Sequence, residues 1–362
     1  MLALRLARGS RPVVQLRRLL VAAASAGTGF LLLYVLADAA ATAGSAGSGG
    51  SFPRLLWALV PIAATVHLAV AVARTDPATR PRDALSAAGL GPVRLTLIAA
   101  VSTAVACTLG SALALAVFLH LRGDVTGLPF DGAGAALLHA DRPLPVAAAL
   151  TLLALVPLAG STAAALALRP RAARTPQSGL PWGVALTACG LAVEAYAGRG
   201  TAGMLAGWSL TAAGMTLAGP ALAYGCGALV QAVRPGALRL LAGRGLQEEA
   251  GRVGGPLGLL CAVAAAGFTA LALRDRGGLP LPLGPLTGPA AALVAGCAAA
   301  TLVTAAVEAR QARTENRETL LGLGTPGRVL RTAATLRATA LLAVCAPLSW
   351  GVAQLTAAAL TR

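Results

Sequence analysis

Residues 19–41 read LLVAAASAGTGFLLLYVLADAAA. The run carries a single charge, Asp38, close to its end, and Arg5, Arg8, Arg11, Arg17 and Arg18 precede it. About 20 consecutive apolar residues suffice to cross a ~30 Å hydrocarbon core. A charged start and an apolar centre also resemble a signal peptide, but this run is longer than an h-region and a second apolar block follows closely. The stretch therefore reads as a retained first transmembrane helix.

Outward from it, the chain repeats the pattern. Further apolar blocks cover about 55–73, 95–119, 145–168, 182–197, 203–230, 256–273, 288–307 and 338–360. The block at 182–197 is short and holds Glu194 near its end. The expected fold is an all-α, polytopic transmembrane bundle of about nine spans. Composition agrees: the 362 residues are 57% hydrophobic and 12% charged, with mean hydropathy +0.75. A soluble domain is about 45–50% apolar and about 25% charged.

The net charge of +16 raises a nucleic-acid reading. Its distribution argues against one, because aromatics are 3% and the arginines sit in short segments between apolar blocks. With the N-terminus cytoplasmic, the inner segments hold 22 arginines and the outer ones 7. That bias follows the positive-inside rule at every loop, and the expected location is a cell membrane, multi-pass, of the bacterial plasma-membrane kind. Nine spans would put the C-terminus outside.

All 29 basic residues are arginine. A Walker A loop needs a lysine on the β/γ-phosphates, so the chain holds none, and any ATP that drives it is hydrolysed by another subunit. No catalytic residues, cofactor or metal site are expected. Cys107, Cys189, Cys226, Cys261, Cys297 and Cys345 each lie in an apolar block without a C-x-x-C pair, which predicts buried packing roles. His67, His120 and His139 have no zinc spacing. Gly203 and Gly207 form one G-x-x-x-G match, a spacing expected by chance in so Gly-rich a chain.

The most informative feature is a duplication. Leu4-Arg5-Leu6-Ala7-Arg8-Gly9 recurs with gaps in residues 238–245, LRLLAGRG. Arg82-Asp83-Ala84-Leu85, followed by Gly89, recurs as Arg317-Glu318-Thr319-Leu320, followed by Gly324. Gly91-Pro92 is matched, reversed, by Pro326-Gly327, and Leu95 by Leu330. The offsets are 234 and 235 residues. Six helices separate equivalent points, so the repeats are parallel, related by an axis along the membrane normal. The expected units are 1–168, a four-helix repeat; 169–233, a two-helix insert; and 234–362, a second repeat with three of the four helices. Each repeated segment has charge at its start, a short apolar stripe and a Gly-Pro or Pro-Gly break before a long helix. That is the pattern of a short surface helix turned into a span, able to pass force from a cytoplasmic partner.

Arg317-Glu318-Thr319-Leu320-Leu321-Gly322-Leu323-Gly324 resembles a shortened R-E-x-x-x-L-x-x-[LM]-G-[AM] segment of the FtsX-like ABC transporter permease family. Residues 82–89, RDALSAAG, resemble a weaker copy. The ten-helix branch of that family has two four-helix units joined by two extra helices, and the likeness covers nearly the whole chain, except for the tenth helix and a large extracellular domain. The resemblance implies a permease subunit coupled through these segments to a separate ATP-binding subunit. Arg82, Asp83, Leu85, Gly89, Arg94, Arg317, Glu318, Leu320, Gly324 and Arg331 would make the coupling surface. A second permease chain or a second copy, and membrane lipid, are the other implied partners, and a hydrophobic or amphipathic compound is the implied substrate.

Two alternatives remain. A secondary transporter suits parallel repeats and would use midplane ionisable groups. Asp38, Glu194 and His67 are the candidates, the first two placed toward helix ends where snorkelling explains them. A non-transporting signalling or scaffold subunit suits the short outer loops.

Overall fold

The computed structural model describes residues 12–42, 55–75, 92–125, 129–169, 176–196, 200–232, 236–275, 284–314, 318, 322 and 326–361. Among them every regular element is helical. In chain order these are α1 (Pro12–Thr42), α2 (Leu59–Thr75), α3 (Pro92–Arg122), α4 (Val146–Ala167), α5 (Leu180–Tyr196), α6 (Thr201–Ala232), α7 (Ala237–Asp275), α8 (Thr287–Ala312) and α9 (Gly327–Thr361). Short 3-10 turns, Pro176–Gly179 and Gly284–Leu286, lead into α5 and α8. Among the described residues, eight helices are long and apolar enough to cross a bilayer; α5, with 17 residues, is the shorter apolar helix. The chain is built as a multi-pass membrane protein.

The outer faces agree with that. Leu97, Val101, Val105, Leu109, Leu113 and Val117 form an exposed stripe along α3 with a four-residue period. Four residues are close to one helical turn, so these side chains share a face. An apolar stripe of this length suits lipid contact rather than water.

Two helix starts differ from expectation. The apolar blocks at 256–273 and 338–360 predict helices that begin there. Instead α7 is continuous from Ala237 and α9 from Gly327. Gly251, Gly254, Gly255 and Pro256 read as a break by propensity, yet packing overrides it. A Cβ on Gly254 would strike the Pro220 backbone of α6, and one on Gly258 the backbone at Met215. Gly254 and Gly258 are where α6 and α7 touch, which holds the helix together through Pro256.

The chain divides into two compact units, each described here by itself. Unit 1 comprises 1–171 and 281–301, thus α1 to α4 and the first part of α8. A Cβ on Gly110 of α3 would meet the Ala22 carbonyl of α1, and one on Gly29 would lie 2.9 Å from Ala114 Cβ. This closeness brings polar groups into mutual reach. Ser25 Oγ donates to the Cys107 carbonyl at 2.8 Å, Ser111 Oγ to the Leu153 carbonyl at 3.2 Å, and the Thr28 and Thr65 hydroxyls share a 2.7 Å bond. In lipid such bonds serve as interhelical ties in place of a hydrophobic force. Leu293 of α8 lies against Gly27, and Cys297 packs with Leu68 and Ala69 of α2.

One end of unit 1 is closed by the connection after α3. Leu138, 1% exposed, enters a core of Leu33, Tyr34, Phe118, Ala149 and Leu153. Phe30 meets Phe118 edge-on at 5.6 Å. Gly134 N–H donates to Leu121 O at 2.8 Å, and Gly132 N–H to His120 O at 3.2 Å. Gly123 and Gly132 have φ of 91° and 69°, the left-handed region that glycine tolerates. Arg122 donates to the Arg142 carbonyl and pairs with Asp124 at 3.3 Å. His139 lies 3.6 Å from Asp38. The longer loop that the sequence places at 121–144, with Asp124, Asp131 and Asp141, is over its described residues an ordered cap.

Unit 2 comprises 172–280 and 302–362, so α5 and α6 pack with α7 and α9. The α5–α6 hairpin is closed by glycines seven residues apart on each helix. Gly183 faces Gly214, and Gly190 faces Gly207. A Cβ on Gly214 would sit 2.6 Å from the Gly183 carbonyl, and one on Gly190 2.7 Å from that of Gly207. Gly207, the second glycine of the G-x-x-x-G match, works with Gly190 of α5. Against α7, α9 contributes Cys345, Val352 and Ala353 to a core with Cys261, Ala262 and Ala265.

Candidate functional site

The 39 residues of α7 rise about 58 Å, well beyond a ~30 Å hydrocarbon core. Its apolar part lies toward Asp275, so its first turns, with Arg239, Arg244 and Arg252, extend past the span. On this extension stands Glu249, largely buried. Arg313, just beyond α8, donates Nε to Glu249 Oε1 at 2.7 Å. Arg337, on the fourth turn of α9, donates Nη1 to the same oxygen at 3.3 Å. Three segments of unit 2 meet on one carboxylate.

Local sequence explains the fit. Gly245 lies one turn before Glu249, and a Cβ there would be 2.7 Å from Arg337 Cζ. Glycine lets the guanidinium lie on the α7 backbone, with the carboxylate a turn further along. Two guanidiniums against one carboxylate leave a local charge of +1, and only Arg313, 33% exposed in its side chain, is open to solvent screening. Charged groups this enclosed persist only when paired.

The position of the cluster gives it meaning. Arg313 and Arg337 bracket the whole segment expected to face a partner, and Glu249 closes it on α7. Unit 1 has a lesser counterpart: Arg17 of α1, 6% exposed, reaches the Thr75 carbonyl at the end of α2 with Nη1 at 3.5 Å. Thr75 immediately precedes the first segment.

Of the expected coupling residues, Arg94 is exposed near the start of α3, Arg331 is exposed near the start of α9, and Glu318 is exposed between α8 and α9. Arg82, Asp83, Leu85, Gly89, Arg317, Leu320 and Gly324 lie outside the described residues. The three described ones stand at segment edges and are not gathered into one cluster by any described contact. Glu249, Arg313 and Arg337 were missed from sequence. A signal was present, since Glu248 and Glu249 are the only acids in an otherwise basic stretch.

The other sequence candidates separate clearly. Cys189 is exposed, against the expected buried role, while the other five cysteines are buried. Cys261 and Cys345 meet thiol to thiol between α7 and α9. His67 keeps Nδ1 buried without a hydrogen-bond partner. Glu194 does not snorkel; it is 1% exposed. Among the described residues no three His, Cys, Asp or Glu side chains converge as a metal site. Compared with models of protein families, with curated proteins and with solved structures, the chain matches none.

Proposed function

We propose that this chain is the membrane-spanning permease subunit of an ABC-type transporter, moving or extracting a hydrophobic or amphipathic substrate with ATP hydrolysed by a separate subunit. One observation carries the reading: Arg313 and Arg337 bind one carboxylate of α7 and so clamp both ends of the segment that resembles the family's coupling element. A loop held this way transmits a push. Force on residues 314–336 reaches α7 and α9 together, because both helices are fixed at the clamp.

Helix starts support the underlying duplication. Pro92 opens α3 and Gly327 opens α9, the same 235-residue offset as Arg82 and Arg317. Contacts run parallel in both units as well. Ser25 meets Cys107 between α1 and α3, and Thr269 Oγ1 donates to Ala353 O at 3.4 Å between α7 and α9. The arginine bias puts the clamped end in the cytoplasm.

The test is co-purification from the native membrane. A P-loop ATPase should be recovered with the wild-type chain, and charge reversal by Arg82→Glu with Arg317→Glu should reduce its recovery at least several-fold. A chain that purifies folded and intact without an ATPase overturns the proposal.

A further inference from the structure

Among the described residues, Glu194 has no charged partner. It lies in the last turn of α5, and both carboxyl oxygens are buried without a hydrogen bond. Gly207 of α6 makes room for it, since a Cβ there would overlap Glu194 Cγ. One turn back, Gly190 admits the Thr211 side chain, whose hydroxyl is likewise buried and unbonded. Thr356 of α9 faces the carboxyl from the third side and is 4% exposed. Thus α5, α6 and α9 bring together one buried carboxyl and two buried hydroxyls.

Among the described residues, no charged group of the packed elements lies near these three side chains; Arg199 and Arg362 lie outside the described residues. On α6 the ionisable groups are Tyr224 and Cys226, at least 13 residues and roughly 20 Å of helix beyond Thr211. On α9 the nearest are Cys345 and then Arg337, eleven and nineteen residues before Thr356. On α5 itself Cys189 and Tyr196 are exposed, and the Pro176–Gly179 turn has none. An ionised carboxylate in such surroundings costs many kcal/mol more than its neutral form, which needs a single acceptor for its O–H. Either threonine hydroxyl supplies that acceptor after a small torsional change. A hard metal cation would take six or more oxygen ligands; the enclosing side chains offer four oxygens.

We propose that Glu194, with Thr211 and Thr356, forms a buried proton-binding site between α5, α6 and α9. The carboxyl holds its proton while α9 covers it and releases the proton when α9 draws away and water enters. Proton occupancy and the position of α9 are then linked equilibria, each biasing the other. The site does not depend on the permease reading: it binds a proton whether or not an ATPase drives α9, although α9 is also the helix that Arg337 clamps.

The experiment is infrared spectroscopy of the full-length chain in lipid vesicles at neutral pH, where an exposed glutamate is ionised. Subtracting the spectrum of Glu194→Gln should leave one protonated-carboxyl C=O band belonging to the wild type. Thr356→Val or Thr211→Val should move that band, because one hydroxyl accepts its hydrogen bond. Glutamine is nearly isosteric, and the threonine variants keep the carboxyl, so loss of folding in one does not remove the test. A difference spectrum showing an ionised carboxylate instead overturns the proposal, as does a band that neither threonine variant moves. An ionised band that comes with sodium-dependent protection against heat overturns it in favour of a metal cation.

Discussion

Arg313 and Arg337 donate to the same atom, Glu249 Oε1, from opposite ends of one connecting segment. Neither arginine replaces the other, because one fixes the exit from α8 and the other the side of α9. Removing the shared acceptor is therefore worse than removing either donor. Glu249→Gln should lower stability by about 3–5 kcal/mol, the loss seen when a buried pair keeps one uncompensated partner. Arg313→Gln, at the more exposed site, should lower it by about 1 kcal/mol. Thermal unfolding in detergent checks the ranking.

Backbone contact in the α5–α6 hairpin gives a sharper expectation. Gly183→Ala places a methyl 2.7 Å from Ala218 Cβ, with no flexible atom to yield. It should destabilise by about 1–3 kcal/mol through overpacking. Gly267→Ala in α7 meets nothing within 4 Å and should stabilise by up to about 1 kcal/mol, the helix-propensity difference. Opposite signs for one substitution type, read as shifts in unfolding midpoint, check the packing.

The Cys261–Cys345 contact predicts a selective cross-link. Iodine, as a two-electron oxidant, should join these two sulfurs and release two protons and two iodides. Peptide mass spectrometry should find that bridge, with Cys107, Cys226 and Cys297 still as thiols. Bridges between other pairs would contradict the parallel α7–α9 packing.

The cap on unit 1 separates two apolar loop residues that look alike in sequence. Leu138→Ala removes a side chain from the core and should cost about 2–5 kcal/mol. Phe130, 79% exposed, should tolerate alanine within about 0.5 kcal/mol. Equal effects, measured by thermal unfolding, would mean the cap is not seated as described.

Sequence made the spans legible because lipid demands long apolar runs; eight of the nine runs read are, among the described residues, helices long enough to cross, and the remaining one, α5, is shorter. Helix ends were less legible. Gly251 to Pro256 spells a break in local propensity, and only Pro220 and Met215 on α6 reveal Gly254 and Gly258 as contact points. The same holds for Glu194. Its position near a helix end was readable, but its burial depends on Gly207, across a turn, and on Thr356, far along the chain. Glu249 was hidden for a different reason: a carboxylate among arginines reads as ordinary charge balance until three segments are seen to share it. The cap was illegible because Leu138 sits in a polar loop with no periodicity to mark its inward side.

The 17 residues of α5 rise about 26 Å, less than the hydrocarbon thickness, and they include an acid. This has a consequence for biogenesis. Leaving the translocon alone, α5 would carry Glu194 in its last turn without the cover of α6. The facing glycines remove the difficulty only once α6 has been synthesised. Insertion therefore waits for the second helix, and the two enter the membrane as one hairpin. A nascent chain halted before Thr201 should leave α5 extractable by alkali, and one extended through Ala232 should not.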